Sequence, residues 1–150
     1  MAVLGASGFI GRWLARSLSR QGARLYLVVR DRRKTLSVCA EYGVVGQILE
    51  MDLNDEAAVR KIYQLIQPSI TFNAAAYGVH PSQRDEFEAY RTNADLVEFA
   101  ARAAASVRDA GWQGQDLVHI GSAQEYGQVG GFLRECDGAA PTTLYARSKL

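Results

Sequence analysis

Two residues near the end of the 150-residue chain have the types and the spacing for proton exchange. Tyr145 and Lys149 stand four positions apart in the segment TTLYARSKL. On a helix, residues i and i+4 share one face, with Cβ atoms about 5–6 Å apart. A free tyrosine has a pKa of about 10, and a neighbouring ammonium lowers that pKa because it favours the phenolate. The same spacing also occurs on ordinary helix surfaces, so the pair indicates catalysis only if another reactive residue is expected beside it.

Ser122 is the residue that we expect beside this pair. It directly follows a run of strand-forming residues at 116–121, so we expect it at the carboxyl end of a strand. Ligands of open α/β sheets bind outside these ends. A serine hydroxyl there can hydrogen-bond a reacting oxygen, while Tyr145 exchanges a proton with it and a hydride moves to or from a nicotinamide. Ser122, Tyr145 and Lys149 are therefore the candidate catalytic residues.

A glycine-rich segment near the start, GASGFIG, predicts a phosphate-binding turn. Gly5 permits a tight turn, Gly8 lets the backbone approach a pyrophosphate, and Gly11 lets the following helix pack closely against the strand. Free N–H groups at the start of that helix favour phosphates. The spacing is GxxGxxG, and its place between a strand and a helix is what indicates dinucleotide binding. The predicted contacts of this turn are Gly5, Ser7, Gly8, Phe9 and Ile10.

The end of the second predicted strand indicates which dinucleotide is bound. NAD sites place a carboxylate there for the ribose 2′-hydroxyl, whereas this chain has Arg30 at the strand end and Arg33 just beyond it. A guanidinium binds a 2′-phosphate through paired hydrogen bonds, so we predict NADP. Asp31 keeps NAD as the second choice, and a solvated basic turn is the plain alternative. Asp52, after the third strand, can reach the adenine amino group or cap a helix.

The elements that must position these residues alternate between strand and helix. Strands are predicted at residues 2–4, 24–30, 47–51, 69–75 and 116–121. Helices are predicted at residues 9–20, 56–67 and 87–110, and from residue 142 or 143 onward. This alternation predicts an α/β domain over residues 1–150. Strand-helix-strand connections cross over with the right hand, which restricts the order of the strands. The predicted domain is a Rossmann-type doubly wound parallel sheet with strand order 3-2-1-4-5.

Apolar residues at helical spacing predict which side of each helix faces the sheet. In the first helix they are Ile10, Trp13, Leu14 and Leu18. In the helix at 87–110 they are Phe87, Tyr90, Ala94, Val97, Ala101 and Ala104, and Gly111 should end that helix. Asn54 or Asp55 can cap the helix at 56–67.

The composition excludes several classes of protein. Hydrophobic residues make up 48% of the chain and charged residues 22%, as in ordinary globular domains. A net charge of +1 gives no electrostatic case for nucleic acid or for a membrane surface. No run of about 18 apolar residues and no signal-peptide layout occurs. Cys39 and Cys136 lack metal-ligand spacing, so we expect reduced thiols, no metal site and a cytoplasmic location.

The order of the motifs resembles that of extended short-chain dehydrogenases/reductases, and among them the NAD-dependent epimerase/dehydratase group, whose substrates are mostly nucleotide-linked sugars. The matching segments span essentially the whole chain and are the glycine turn, Asp52-Leu53, Asn73-Ala74-Ala75-Ala76, Ser122 with Tyr126-Gly127, and Tyr145 with Lys149. The resemblance implies that Ser122 is the active-site hydroxyl, Tyr145 the catalytic base and Lys149 its ribose-binding partner. It also implies a homodimer, and it adds Leu53 and Ala74, Ala75 and Ala76 to the cofactor contacts.

Departures from the family pattern narrow the expected reaction. Sugar 4,6-dehydratases carry Glu two residues before the tyrosine of the YG pair, often preceded by Asp. Here these positions are Gln124 and Ala123, and Glu125 is one place off. Water elimination needs a positioned acid and base, so a dehydratase is disfavoured and 4-keto reduction or epimerisation remains. One alternative is a non-enzymatic NADP-binding module, which would have no use for the three candidate catalytic residues together. Another is that the fragment by itself is inert.

Four further expectations concern polar residues and the chain ends. His119 should be a strand or core residue, and His80 should lie in the loop beside the nicotinamide without a catalytic role. Asn93, in the long helix, should have a supporting role. Because the chain begins and ends abruptly, we expect a fragment that stops before the last strands and the sugar-nucleotide subdomain.

Overall fold

The five predicted strands pair side by side in a single parallel sheet of the computed structural model, which describes residues 1–80 and 82–150. They are β1 (Ala2–Leu4), β2 (Tyr26–Val29), β3 (Gln47–Glu50), β4 (Thr71–Asn73) and β5 (Leu117–His119). Their order is β3-β2-β1-β4-β5, as predicted. Leu4 is in register with Val28 on one side and with Asn73 on the other, and Asn73 is in register with His119. The carboxyl ends of the central strands therefore form one edge.

Helices cover both faces of the sheet, as a doubly wound fold requires. They are α1 (Phe9–Arg20), α2 (Arg32–Tyr42), α3 (Glu56–Ile66), α4 (Glu86–Tyr90), α5 (Leu96–Ser106) and α6 (Leu144–Lys149). A π-helical turn (Arg91–Asp95) joins α4 to α5, and a 3-10 turn (Ala123–Tyr126) follows β5. One apolar core lies under α1 and α2, and a second lies under α3 and α5. Within the described residues, no helix combines the length and the apolar character needed to cross a membrane.

Helix α2 was not predicted, because its apolar residues are few and it opens with three basic side chains. Its boundaries nevertheless carry local signals. Asp31 caps its start, with the Lys34 N–H donating to Asp31 Oδ1 at 2.8 Å. Gly43 ends it in the left-handed region at φ +62°, where glycine meets no Cβ penalty. An Asp and a helix-terminating Gly thus enclose the 11 residues of this helix.

The predicted inward face of α1 is partly wrong. Ile10 and Trp13 are 49% and 45% exposed, whereas Gly11 and Ala15 are buried. These small residues let the helix axis approach the sheet closely, which the large side chains would prevent. Trp13 instead packs edge-on against Tyr42 of α2, with ring centroids 5.1 Å apart. Hydrophobicity alone therefore selects the wrong side of a closely packed helix.

The long helix also differs from its prediction. It ends at Ser106 rather than near Gly111, and the π-helical turn interrupts it. Four residues of the predicted inward stripe, Phe87, Tyr90, Ala94 and Ala101, are exposed, although Ala104 is buried. The buried face is instead formed by Ala89, Thr92, Asn93, Leu96, Ala100, Ala103 and Ala104. Two polar residues lie on this face because they hydrogen-bond to neighbouring elements, so apolar periodicity alone could not identify it.

Candidate functional site

The glycine turn after β1 is built by close backbone contacts. Gly5 adopts φ +73°, and its N–H donates to the Val28 carbonyl at 3.0 Å. A Cβ added at Gly5 would lie 2.8 Å from the Ala75 backbone, and one at Gly11 would lie 2.2 Å from the Gly5 oxygen. Gly8 is the N-cap of α1 and provides no side-chain cap. The start of α1 is thus a compact backbone cradle of the kind that binds phosphates.

The predicted dinucleotide-selecting residues lie at the start of α2. Arg30 follows β2 directly, and both Arg30 and Arg33 are exposed. Arg32 is held in place instead, because its Nη1 donates to the Ile48 carbonyl at 2.9 Å. The Asp31 carboxylate caps α2. Two guanidinium groups therefore stand exposed beside the carboxyl end of β2, while the one acidic residue of that stretch is used in helix capping.

The other predicted cofactor residues lie on two neighbouring loops. Asp52 is exposed and accepts from the Asn54 N–H at 3.0 Å, whereas Leu53 is buried. Asp55 caps α3, so Asp52 is not needed for that task. After β4, Ala74, Ala75 and Ala76 run along the glycine turn, with the Ala74 N–H donating to the Leu4 carbonyl at 3.0 Å. Both loops thus lie at the carboxyl edge of the sheet, beside the glycine turn.

Helix α6 brings the candidate catalytic residues to the end of β5. Thr143 caps the helix by accepting from the Ala146 N–H at 3.1 Å. Lys149 is 8% exposed, and its Nζ donates to the Ile120 carbonyl at 2.9 Å. The Ser122 hydroxyl accepts from the Gln124 N–H at 3.2 Å and lies near enough to Tyr145 to influence the pKa of that phenol. Ser122, Tyr145 and Lys149 therefore meet where the sequence places them.

The titration of this group differs from the sequence expectation. Burial raises the pKa of Tyr145, the neighbouring Ser122 hydroxyl lowers it, the Glu125 carboxylate raises it, and the net direction is upward. Burial lowers the pKa of Lys149, against the opposing effect of Glu125. The prediction that the ammonium lowers the pKa of Tyr145 is wrong for this structure, because burial dominates and the ammonium is bound to the Ile120 carbonyl. Tyr145 is therefore a protonated phenol at neutral pH, which suits donation to a carbonyl oxygen.

Asn93 connects the loop after β4 with α6. Its Oδ1 accepts from the Tyr77 N–H at 2.9 Å, and its Nδ2 donates to the Tyr77 carbonyl at 2.7 Å and to Ser148 Oγ at 2.8 Å. The Ser148 hydroxyl in turn donates to the Tyr145 carbonyl at 3.0 Å. Asn93 is 1% exposed and lies in the π-helical turn, a geometry that is frequent at functional sites. Sequence reasoning missed Ser148, although it stands inside the segment YARSK.

A cavity of about 470 Å³ opens beside Tyr145. Its lining consists of Gly78, Val79, His80, Gln83, Arg84, Gln124, Thr143, Leu144 and Tyr145. Gln124 thus faces the cavity, whereas Glu125 turns back and accepts from the Ser122 N–H at 2.6 Å. The carboxylate that stands one place off the dehydratase position is therefore used in positioning Ser122. His119 lies in β5, and burial, reinforced by Lys149 and opposed by Glu125, lowers its pKa.

The chain is similar in sequence to known proteins along its whole length. A family model described as the NAD dependent epimerase/dehydratase family matches residues 1–150. The dTDP-6-deoxy-L-talose 4-dehydrogenase (NAD(P)(+)) of Kitasatospora kifunensis is 33% identical over 156 residues, covering 100% of this chain and 44% of that protein.

Solved structures share the fold at lower sequence identity. The WbmG enzyme of Bordetella bronchiseptica, in complex with NAD and UDP, superposes with a TM-score of 0.81 at 21% identity, over 99% of this chain and 46% of that one. The UDP-Glc/GlcNAc 4-epimerase of Campylobacter jejuni superposes with a TM-score of 0.79 at 18% identity, over 99% and 45%. The chain thus spans less than half the length of each of these relatives.

Proposed function

The chain belongs to the NAD dependent epimerase/dehydratase family, and from that premise we propose that it forms the cofactor-binding part of an NAD(P)-dependent enzyme acting on a nucleotide-linked sugar. The reaction is reduction of a 4-keto group or epimerisation. The observation that carries the proposal is the meeting of Ser122, Tyr145 and Lys149 beside the carboxyl end of β5. A bare dinucleotide-binding module would not need a buried lysine joined to that strand end.

The residues present fit a dinucleotide. The glycine turn has no room for a Cβ at Gly5 or Gly11, and the start of α1 offers backbone N–H groups to a pyrophosphate. When bound, the dinucleotide supplies or accepts the hydride. Ser122 would hydrogen-bond the reacting oxygen of the sugar, and Tyr145 would exchange a proton with that oxygen. Lys149 would hold the ribose with the ammonium protons that the Ile120 carbonyl leaves free.

The direct test is NADPH oxidation by the protein encoded by the complete reading frame, on addition of a nucleotide-linked 4-keto sugar. Consumption of NADPH with formation of the corresponding alcohol supports reduction. Interconversion of two sugar epimers without net consumption of cofactor supports epimerisation. Absence of both reactions across UDP- and dTDP-linked sugars would contradict the proposal.

The cofactor preference is tested at Arg30. We expect the chain to bind NADP more tightly than NAD, because Arg30 and Arg33 stand exposed where a 2′-phosphate would lie. Arg30→Asp should weaken NADP binding by about 10- to 100-fold, the cost of losing a charge-assisted hydrogen bond. Calorimetric titration with both dinucleotides measures this. Arg60→Asp, on the exposed side of α3, is the matched control. The prediction would be contradicted if the wild type binds NAD more tightly than NADP and Arg30→Asp changes neither affinity.

The absence of dehydratase activity is a separate prediction. Gln124 faces the cavity and Glu125 is bonded to the Ser122 N–H, so no carboxylate of residues 123–125 lines the described cavity. We therefore expect no 4-keto-6-deoxy product from a nucleotide hexose. Mass spectrometry of the reaction mixture would reveal such a product as a loss of water, and its appearance would show that elimination does not need a carboxylate at position 124.

We propose that the protein forms a homodimer, as the family resemblance implies. The exposed stripe of Phe87, Tyr90, Ala94 and Ala101 supports this, because its aromatic and small side chains can pack against a matching helix. The cytoplasmic location stays a prediction.

A further inference from the structure

Asn54 forms four hydrogen bonds, one of them within its own loop and three to the segment that carries the π-helical turn. Its N–H donates to Asp52 Oδ1 at 3.0 Å, which closes the loop after β3. Its Nδ2 donates to Glu88 Oε2 at 2.9 Å, and its Oδ1 accepts from the Thr92 hydroxyl at 3.2 Å. Its carbonyl accepts from Arg91 Nη2 at 2.5 Å. The side-chain oxygen and nitrogen of Asn54 and its backbone N–H and carbonyl therefore all form hydrogen bonds.

The partners of Asn54 come from a helical segment far along the chain. Glu88 lies in α4, and Arg91 and Thr92 lie in the π-helical turn, 34 to 38 residues away. Thr92 is 6% exposed and is followed directly by Asn93, which is bonded to the Tyr77 loop and to α6. A bond network thus runs from the loop after β3 to the helix that carries Tyr145.

We propose that Asn54 is a positioning residue for the adenine end of the dinucleotide, because it locks the loop carrying Asp52 and Leu53 onto the π-helical turn. The inference rests on the proposed function and on the sequence prediction that Asp52 reaches the adenine amino group. Asp52 is exposed and its carboxylate is oriented by the Asn54 N–H, so the place of Asp52 depends on how firmly Asn54 is held. Asp55, by contrast, is fixed by capping α3.

The test exchanges the donor and the acceptor of one bond. Asn54→Asp places a carboxylate against that of Glu88, so the pair repels and the loop is released. Glu88→Gln in the same chain restores the bond, because its amide can donate to the new carboxylate, which still accepts from the Thr92 hydroxyl. We expect Asn54→Ala and Asn54→Asp to weaken the binding of AMP and ADP-ribose by about tenfold. The double variant should return to within about twofold of the wild type.

Two readouts separate positioning from a general loss of structure. Binding of nicotinamide mononucleotide, which lacks adenine, should be unchanged in all variants. Arg102→Ala is the control, since Arg102 joins Glu56 of α3 to Glu98 of α5 through exposed ion pairs and leaves the loop intact. It should change neither affinity. Equal AMP affinity in Asn54→Ala and the wild type, or no recovery in the double variant, would overturn the inference.

Hydrogen exchange of the ligand-free chain distinguishes a failure of the proposal about Asn54 from a failure of the proposed function. In Asn54→Ala the amides of residues 52–54 should exchange faster, while those of α3 keep their protection. Unchanged exchange in this loop would overturn the proposal about Asn54. The proposed function would be overturned instead if Asn54→Ala shows this faster exchange but the wild-type chain binds neither AMP nor ADP-ribose.

Discussion

Replacing Tyr145 by Phe should lower kcat by about 10²- to 10⁴-fold, the usual contribution of a positioned proton donor. The substitution removes only the hydroxyl, which lies near Ser122 beside the end of β5. The ring still packs against Gly78, where a Cβ would lie 3.6 Å from the Tyr145 Cβ. Dinucleotide affinity should therefore stay within about twofold of the wild type. NADPH oxidation with a nucleotide-linked sugar gives the rate, and dinucleotide titration gives the affinity.

Tyr42→Phe is the matched control for this experiment. It removes a phenolic hydroxyl from α2, on the other face of the sheet, and leaves the ring contact with Trp13 in place. Its kcat should equal that of the wild type. A Tyr145→Phe enzyme that retains more than about a tenth of the wild-type rate would show that another group exchanges the proton.

Gly11→Ala should abolish dinucleotide binding and destabilise the chain. The new Cβ would lie 2.2 Å from the Gly5 oxygen and 2.9 Å from the Ala6 Cα. These are backbone atoms of the phosphate turn, so the conflict can be relieved only by moving α1 away from β1. Overpacking of this kind costs about 1–3 kcal/mol and occasionally more. Urea unfolding measures the loss of stability, and titration with NADP measures the loss of affinity.

Gly138→Ala makes the same chemical change in open space, where no atom lies within 4 Å of the added Cβ. It should unfold at the wild-type urea concentration and bind NADP normally. If Gly11→Ala behaves like this control, α1 does not approach the glycine turn as closely as the structure has it, and the cradle is not needed in its present shape.

Strand order and the meeting of the candidate catalytic residues could be predicted from the sequence because both follow from local signals. Each strand is a short apolar run, right-handed crossovers restrict the order, and Ser122 and Tyr145 stand at the ends of elements that this order brings together. The phosphate turn was equally local. Gly5 and Gly11 are required by contacts within one turn and with the adjacent strand end.

What could not be predicted depends on contacts between distant parts of the chain. Thr92 and Asn93 lie on the buried face of their helix because Asn54, Tyr77 and Ser148 satisfy them, and none of these partners is near in sequence. The pKa of Tyr145 depends on burial by surrounding elements rather than on its spacing from Lys149. Sequence periodicity contains neither kind of information.

The π-helical turn at Arg91–Asp95 limits how the length of this segment can change during evolution. Each residue of an α-helix advances the chain by about 100° around the axis, so a π turn rotates everything that follows it relative to an uninterrupted helix. Deleting one residue here would let the turn close to α-helical geometry with Leu96 and Ala100 still facing the sheet, but Thr92 and Asn93 would lose the places from which they reach Asn54 and Ser148. Substitutions on the exposed side of the segment should be tolerated, whereas insertions and deletions should be eliminated. The number of residues between Asp85 and Leu96 is therefore constrained together with the identities of Thr92 and Asn93.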